Sequence, residues 1–292
     1  MSKLTDWRLQ RMSEPIHHLN CGQMRPPAQL IANGKGSLFR RGEAVCHCLL
    51  IETPGEGLIL VDAGLGVADL QNPRKQLGLD VKLFLNPVPD FSFTAPAQIK
   101  SLGYDLNDVR RILVTHFDVD HRGALPDFPR ATIHTSAIEL DSLLNPRTRK
   151  DVKRYKGDWS RSLSFDGHDF TGDQWYGFPV VYETESSAGR VVLIHLPGHT
   201  SGHCGIAVET GGASPRWVLH AGDAIQHHNE LYPGEPVPLG IGLFNAVLEA
   251  DHSSRHRTRA HLRELAQEPD VEIICAHDPS LLPQGSRGVS GK

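Results

Sequence analysis

The chain has 292 residues, with a formal net charge of −4 and a charged content of 22%. This slight acidic excess argues against a nucleic-acid-binding protein, because such proteins need a basic excess to neutralise phosphates. The sequence contains no run of about 18 apolar residues, and residues 1–15 lack the apolar centre of a secretory signal. We therefore expect a cytoplasmic protein with no membrane partner and no nucleic-acid partner.

Cysteine usage agrees with that expectation. The five cysteines are odd in number and widely scattered, which favours a reducing compartment over a disulfide framework. Cys46 and Cys48 are two residues apart, so both would point to the same face of a strand. We interpret them as small buried side chains.

Short apolar runs that stop at His, Asp or Gly predict the strands. In chain order these runs are 46–53, 57–64, 110–116, 131–136, 190–199, 216–223 and 271–278. Helical spacing predicts a helix over 95–104, and a long helix is predicted from Phe244 to Ala266, leading into the last strand. Two basic stretches, 147–154 and 253–263, are interpreted as solvated faces of helices.

Four of the predicted strands end in residues of types that can bind metals: His116, His199, Asp223 and His277. The first of them opens an H-x-D-x-D-H motif, which adds Asp118, Asp120 and His121. Strand ends from distant parts of a chain can converge on one edge of a sheet. A single metal cannot use all of these groups, whereas two metals that share a bridging water and a bridging carboxylate can.

The motifs resemble those of the metallo-β-lactamase-fold hydrolases, and most closely those of the lactonase-like, single-domain members. Five segments stand in the family's order: LILVDAG (58–64), THFDVDHRG (115–123), LPGHTSGH (196–203), HAGDA (220–224) and CAHDP (275–279). The resemblance implies an α+β fold, a four-layer αββα sandwich, in one domain over 1–292. An N-terminal extension to about residue 40 and inserts near 80–95 and 136–190 would be added to it.

The resemblance also implies a role for each motif residue. His116, Asp118 and His199 would bind the first metal, Asp120, His121 and His277 the second, and Asp223 would bridge both. Asp62 would accept a hydrogen bond from a ligand histidine and so hold its tautomer. Asp120 would be catalytic, orienting a metal-bridging hydroxide and passing its proton to the leaving group. The cofactors would be two divalent metal ions, zinc first, with iron or manganese as alternatives.

One position departs from the family pattern, because Asp118 stands where the usual motif has a second histidine. A carboxylate hardens the first site and adds negative charge, which favours iron or manganese relative to zinc. The flavodiiron proteins have an acidic residue at this place, so a diiron redox protein is an alternative function. We expect no flavodoxin-like domain before residue 40 or after residue 292, so this alternative would lack its electron source. A phosphodiester hydrolase of the same fold is a further alternative.

We predict an enzyme that hydrolyses a small ester, lactone or related acyl substrate, with a homodimer left open. Gln226 stands where the N-acyl homoserine lactonases have a tyrosine, and the nearest tyrosine is Tyr232. Three histidines are interpreted as structural: His195, His203 and His220. His227 and His228 are left open as substrate contacts. Arg122 is interpreted as a surface residue that could also meet an anionic group.

Overall fold

Two six-stranded sheets form the centre of the molecule. The structure, a computed structural model, describes residues 16–283 except positions 54, 158 and 213 and, at position 80, only the backbone. The first sheet has the order β1 (Ile16–Met24), β2 (Ala44–Thr53), β3 (Gly57–Val61), β4 (Val109–Leu113), β5 (Thr132–Ser136), β6 (Ser164–His168). The second has the order β12 (Val271–Ile274), β11 (Trp217–His220), β10 (Cys204–Glu209), β9 (Arg190–His195), β8 (Phe178–Glu185), β7 (Gln174–Trp175).

Both sheets are mixed. In the first, β3 to β6 run parallel and the β1–β2–β3 pairs are antiparallel. In the second, only the β11–β12 pair is parallel. Consecutive apolar residues explain why β3 is buried on both faces: Ile59 and Val61 join the core between the sheets, whereas Leu58 and Leu60 join the outer core under the helices.

Helices cover the outer faces of both sheets. The helices are α1 (Gln29–Asn33), α2 (Val67–Gln71), α3 (Pro73–Gln76), α4 (Leu79–Leu85), α5 (Ala95–Ser101), α6 (Val119–Arg122), α7 (Ala137–Leu144), α8 (Arg149–Arg154), α9 (Leu239–Leu248) and α10 (His252–Leu265). Ile99 of α5 packs on the first sheet, and Leu262 of α10 packs on the second. The predicted α+β, αββα sandwich is therefore confirmed. Within residues 16–283, no helix combines the length and apolar character that crossing a membrane requires.

The predicted long helix over Phe244–Ala266 is wrong, because the segment contains two helices. Glu249, which follows α9, has an extended backbone with φ −58° and ψ 139°. Asp251 then caps α10, since its Oδ1 accepts hydrogen bonds from the backbone N–H groups of Ser253 at 2.9 Å and Ser254 at 3.2 Å. Aspartate is a preferred N-cap residue, so a new helix starts here.

The interpretation of both basic stretches as solvated helix faces is wrong in part. Only 8% of the Arg154 side chain is exposed, and the whole Arg255 residue is 4% exposed. Arg255 forms an ion pair with buried Glu230, with 3.1 Å between Nη2 and Oε2. Buried charges need such partners because an uncompensated one costs several kcal/mol. The remaining arginines and lysines of both stretches are mostly exposed.

Strands also lie in segments whose sequence did not predict them. β1 falls within the predicted N-terminal extension, where it forms the edge of the first sheet beside β2; residues 1–15 lie outside the described part of the chain. The predicted insert at 136–190 contains β6, β7 and β8, so it supplies strands to both sheets. All five cysteines are free and buried, and Cys46 and Cys48 share the core under the helices, as expected.

Candidate metal centre

Five strands end at one edge of the sandwich, and the residues that follow them meet there. Asp62 directly follows β3, and the loop after β4 leads through His116 into the short helix α6. The loops after β9, β11 and β12 supply the remaining groups, which are His199, Asp223 and His277. The structure thus places all seven predicted ligand side chains in one cluster, with Asp62 behind them.

The first donor group consists of His116, Asp118 and His199. Oδ2 of Asp118 lies 2.9 Å from Nε2 of His199 and 3.4 Å from Nε2 of His116. Both histidine side chains are buried, whereas 17% of the Asp118 side chain is exposed. Asp118 therefore forms the solvent side of this group.

The second donor group consists of Asp120, His121 and His277. Nε2 of His277 lies 3.2 Å from Nε2 of His121 and 3.5 Å from Oδ2 of Asp120. The local backbone explains why one motif serves two groups. Asp118 is the extended N-cap residue of α6, and the helical turn that follows redirects Asp120 and His121 away from it.

Asp223 lies between the two groups and turns one oxygen toward each. Its Oδ2 is 3.5 Å from Nε2 of His199 and 3.9 Å from Nε2 of His116. Its Oδ1 is 3.1 Å from Nε2 of His277 and 3.2 Å from Nε2 of His121. This is the arrangement that a carboxylate needs in order to bridge two ions.

Hydrogen bonds on the far side of the rings decide which nitrogen carries the proton in the second group. Nδ1 of His121 lies 2.7 Å from Oδ2 of Asp62, and Nδ1 of His277 lies 2.8 Å from the carbonyl oxygen of Val45. An ionised carboxylate and a carbonyl can only accept hydrogen bonds, so both rings donate from Nδ1. In the neutral rings, Nε2 therefore presents a lone pair toward Asp223.

The resulting cluster is electron-rich and attracts positive charge. Burial lowers the pKa of His277, but the nearby carboxylates of Asp223 and Asp120 outweigh it and raise the pKa to about 9. Burial likewise opposes the charged form of His121, yet Asp223 and Asp62 hold its pKa well above the usual range. Without a bound cation, these two rings would take up protons.

Buried polar atoms without partners also fit bound cations. Nε2 of His116 and Oδ1 of Asp223 are buried and make no hydrogen bond to any residue that the structure describes. Burial raises the pKa of Asp223, but His277, His121 and His199 hold it well below the usual range, so it is ionised. Imidazole nitrogens and carboxylate oxygens in two sets that share one carboxylate are suitable ligands for divalent metals.

Asp62 is held in a strained conformation behind the second group. Its φ of 53° lies in the left-handed region, which costs a residue other than glycine of order 1 kcal/mol. Three hydrogen bonds offset this cost: Thr115 donates its N–H to Oδ1 at 2.8 Å and its hydroxyl to Oδ2 at 2.9 Å, and the Asp62 N–H donates to the Leu113 carbonyl at 3.0 Å. These contacts aim Oδ2 at His121.

Sequence reasoning missed Arg154, which lies in one of the two basic stretches. Its Nε is 2.6 Å from Oδ1 of Asp118, and its Nη1 donates to the carbonyl oxygen of His199 at 3.3 Å. Burial raises the pKa of Asp118, but Arg154 and the two first-group histidines hold it well below the usual range. The local sequence contains no signal for this contact, since Arg154 resembles its solvated neighbours.

Glu139, on α7, was also missed. The residue is fully buried, and its Oε1 accepts hydrogen bonds from the N–H of Phe117 at 3.1 Å and the hydroxyl of Tyr155 at 3.0 Å. Its Oε2 accepts from the hydroxyl of Thr200 at 2.6 Å. One carboxylate therefore ties the loop of His116 to the loop of His199.

The three histidines interpreted as structural all bond to the backbone. His203 contacts the Leu196 carbonyl through Nδ1 at 3.1 Å and accepts the N–H of Asp223 through Nε2 at 3.0 Å. Its position also requires glycine at 222, where φ is +52° and a Cβ would lie 2.8 Å from Nε2 of His203. His195 contacts the Ser201 carbonyl at 3.0 Å, and His220 contacts the His47 carbonyl at 2.6 Å.

The interpretation of Arg122 as a surface residue is wrong. It is 7% exposed, its Nε donates to the carbonyl oxygen of Phe117 at 3.0 Å, and its guanidinium lies 4.2 Å from the ring centroid of Trp159. Burial lowers its pKa to about 10 despite the opposing charges of Asp69, Asp118 and Asp120. Arg122 supports the loop of the motif from behind.

Four further positions near the bridging aspartate were considered from the sequence: Gln226, His227, His228 and Tyr232. Nδ1 of His228 lies 2.6 Å from Oδ2 of Asp278, and His227 stacks on His228 with ring centroids 4.5 Å apart. Gln226 is 7% exposed, and its Nε2 is buried without a hydrogen-bond partner among the described residues. Tyr232 is 43% exposed.

Comparison with known proteins places the chain in a family. The model of the "Metallo-beta-lactamase superfamily" matches residues 41–277. The chain belongs to the metallo-β-lactamase superfamily. It is a metallo-hydrolase of this superfamily, so the prediction of a metal-dependent enzyme is confirmed at that level.

The relatives and solved structures agree with this assignment. The chain is 37% identical to the probable metallo-hydrolase Rv2300c of Mycobacterium tuberculosis, covering 91% of this chain and 81% of that protein. It is 26% identical to the N-acyl homoserine lactonase AttM of Rhizobium radiobacter, covering 79% of this chain and 80% of that one. It shares the fold of a B. thuringiensis AiiA variant with N-decanoyl-L-homoserine bound at the active site, with a TM-score of 0.65 at 20% identity, over 91% and 93% of the two chains.

Proposed function

We propose that this protein is a dinuclear metal-dependent hydrolase that cleaves a small ester, lactone or related acyl substrate. The observation that carries the proposal is the position of Asp223, whose two oxygens face two separate histidine pairs. A four-coordinate zinc ion has too few positions for both oxygens and all four imidazoles, which lie on opposite sides of Asp223. Two ions that share Asp223 could.

The two sites would be filled as the donor groups suggest. His116, Asp118 and His199 would hold one ion, and Asp120, His121 and His277 the other. When bound, two divalent ions lower the pKa of a shared water toward neutrality and polarise the oxygen of the group under attack. Zinc suits a set of four imidazoles and three carboxylates, with iron and manganese as alternatives.

The side chains of this chain would guide the proton. Asp120 lies at the edge of the second group, with its Oδ2 3.5 Å from Nε2 of His277 and a total exposure of 8%. Its carboxylate would accept a proton from the attacking water and pass it to the leaving oxygen. Asp62 would keep His121 in the Nδ1-protonated tautomer throughout, because the Asp62–His121 contact is fully buried.

The acyl substrate class is supported by the relatives rather than by a contact in this chain. AttM is named as an N-acyl homoserine lactonase, and the structure of the AiiA variant contains N-decanoyl-L-homoserine at the active site. Gln226 replaces the tyrosine that lactonases have three residues after the bridging aspartate. Its buried amide could replace the phenol as a hydrogen-bond donor toward a carbonyl oxygen.

Metal analysis combined with a substrate panel tests this proposal. Protein purified without a chelator or a histidine tag should contain about two zinc or manganese ions per chain by elemental analysis. The same preparation should hydrolyse acyl lactones or aryl esters, and dialysis against a chelator should abolish that activity. Added zinc should restore it.

Other results would contradict the proposal. Two irons per chain with oxygen-dependent turnover would replace it with the diiron redox function. Two zinc ions with phosphodiester cleavage and no cleavage of esters or lactones would show that the substrate class is wrong. A chain that binds one ion or none would refute the dinuclear centre.

A further inference from the structure

The motif aspartate that departs from the family pattern has a buried cation of its own. Asp118 directs Oδ2 to Nε2 of His199 at 2.9 Å, and it directs Oδ1 to Nε of Arg154 at 2.6 Å. The two carboxylate oxygens thus have different partners. Only Oδ2 points into the first donor group.

Arg154 is fixed by two further hydrogen bonds. Its Nη1 donates to the carbonyl oxygen of His199 at 3.3 Å, and its Nη2 donates to that of Leu248 at 3.0 Å. Since 8% of its side chain is exposed, water does little to screen the guanidinium from Asp118. Arg154 ends α8, in the predicted insert at 136–190, so the insert brings a positive charge to the metal edge.

We infer that Arg154 is a positioning residue that makes the Asp118–Arg154 pair equivalent to a neutral, single-atom ligand. This inference rests on the proposed function. The guanidinium occupies Oδ1, which prevents Asp118 from binding an ion through both oxygens. It also neutralises the charge that Asp118 adds. The pair therefore does the work of the neutral histidine that the family motif has at this position.

This pairing reverses the consequence expected from the sequence. An unpaired aspartate at 118 would harden the first site and favour manganese or iron. A paired one leaves the net charge of the first site as a histidine would, so the preference for zinc is retained. Arg122 does not substitute for Arg154, because its guanidinium packs on Trp159 and its Nε donates to Phe117.

A double-mutant cycle on the full chain tests the inference through metal content. Wild type, Asp118→His, Arg154→Met and the double variant are stripped of metal and dialysed against equimolar zinc and manganese. Each is then analysed for both metals. Arg154→Met should raise the manganese-to-zinc ratio by about tenfold, because it frees the full charge and both oxygens of Asp118.

The two variants that carry Asp118→His distinguish two roles for Arg154: it either balances the charge of Asp118 or only holds the backbone carbonyls in place. Asp118→His alone should lower zinc affinity by about tenfold or more, because the imidazole leaves Arg154 as an unpaired buried cation. Adding Arg154→Met should restore zinc binding to within about threefold of wild type. If Arg154 only braced the carbonyls of His199 and Leu248, the second change would add to the defect. That result would overturn the inference.

Two controls keep the test decisive. Arg255→Met removes a different buried arginine that pairs with Glu230, so it should lower stability without changing the metal ratio. Arg154→Lys retains the charge and should keep the ratio near that of wild type even if Arg154→Met folds poorly.

The visible spectrum of the cobalt-substituted proteins reports the coordination number independently of activity. A change of spectrum in Arg154→Met supports the inference, and an unchanged spectrum with an unchanged ratio contradicts it.

Failure of the inference can be distinguished from failure of the proposed function. Wild-type protein with less than two ions would refute the dinuclear centre and the inference together. Wild-type protein with two ions, in a cycle whose effects simply add, would refute the inference alone.

Discussion

The two donor groups contain similar ligands but differ in the partners behind them. In the second group, His121 and His277 each bond through Nδ1 to an acceptor, the Asp62 carboxylate and the Val45 carbonyl. In the first group, Nδ1 of His199 is buried without a hydrogen-bond partner among the described residues, and the charged neighbour is the cation Arg154.

The pKa values of the histidines also differ between the two groups. The pKa of His277 is raised to about 9, because Asp223 and Asp120 outweigh burial. The pKa of His199 is lowered, because burial outweighs the effect of Asp223 and Asp118. In the second half, Asp62 helps to hold the pKa of His121 above its usual range although it belongs to neither donor group, so a residue behind the ligands contributes to the charge that this half presents to an ion.

The largest expected effect comes from the residue that both groups share. Asp223→Ala should remove most of the bound metal from both groups and nearly all hydrolysis, because each ion would lose a ligand. Hydrolysis should fall by more than about a hundredfold. That factor is the upper end of the loss typical of mutating a residue that only holds a metal ligand in place. Elemental analysis and turnover of the same preparation check this prediction.

Asp166→Ala is the matched control, since Asp166 also lies beside two histidines, His134 and His168, in a separate group. Full metal content in Asp223→Ala would rule out the bridging role.

A mutation of Asp62, which lies behind the second group, should weaken metal binding at that group alone. Asp62→Asn keeps the shape of the side chain but removes the negative charge that fixes His121. We expect affinity for one of two ions to fall by about tenfold to a hundredfold, with the other unchanged. Zinc titration with a competing indicator measures both affinities. Equal weakening of both sites would show that the two halves are not independent.

The metal-free protein should show a pH dependence that originates in the second group. Because the folded-state pKa of His277 is about 9, above the unfolded value near 6.5, its contribution to stability is complete below pH 6.5 and is lost as the pH rises through 9. The loss should be at most about 3 kcal/mol between pH 7 and 9. Urea unfolding of chelator-treated protein measures it. The zinc-loaded protein serves as the control, because ligation keeps these rings unprotonated, and a flat profile without metal would contradict the prediction.

The smallest effect on metal binding is expected from His203. His203→Ala should keep both ions, because His203 contacts only the backbone of Leu196 and Asp223 among the hydrogen bonds described for it. Stability should fall by about 1–3 kcal/mol, since the buried N–H of Asp223 loses its acceptor. Thermal unfolding and elemental analysis of one sample test both statements. Loss of one ion would make His203 a ligand.

Much of the fold and the ligand cluster could be predicted from the sequence alone. The runs that became β3, β4, β11 and β12 are apolar over consecutive positions, and each leads within a few residues to a histidine or aspartate. Asp223 and His277 follow neighbouring strands of the second sheet, as the position of strand ends predicts, whereas His116 follows β4 of the first sheet and joins them where both sheets end at the same edge of the sandwich. Their roles as ligands remain a prediction.

Only the tertiary structure decided which outer partners these residues have. Arg154 and its exposed neighbour Lys153 have the same local signal, and only the packing of α8 against the His199 loop buries the arginine. The Val45 carbonyl cannot be recognised in any sequence, because every residue has one. Local sequence determines which side chains are available, whereas long-range packing determines which of them meet and at what charge.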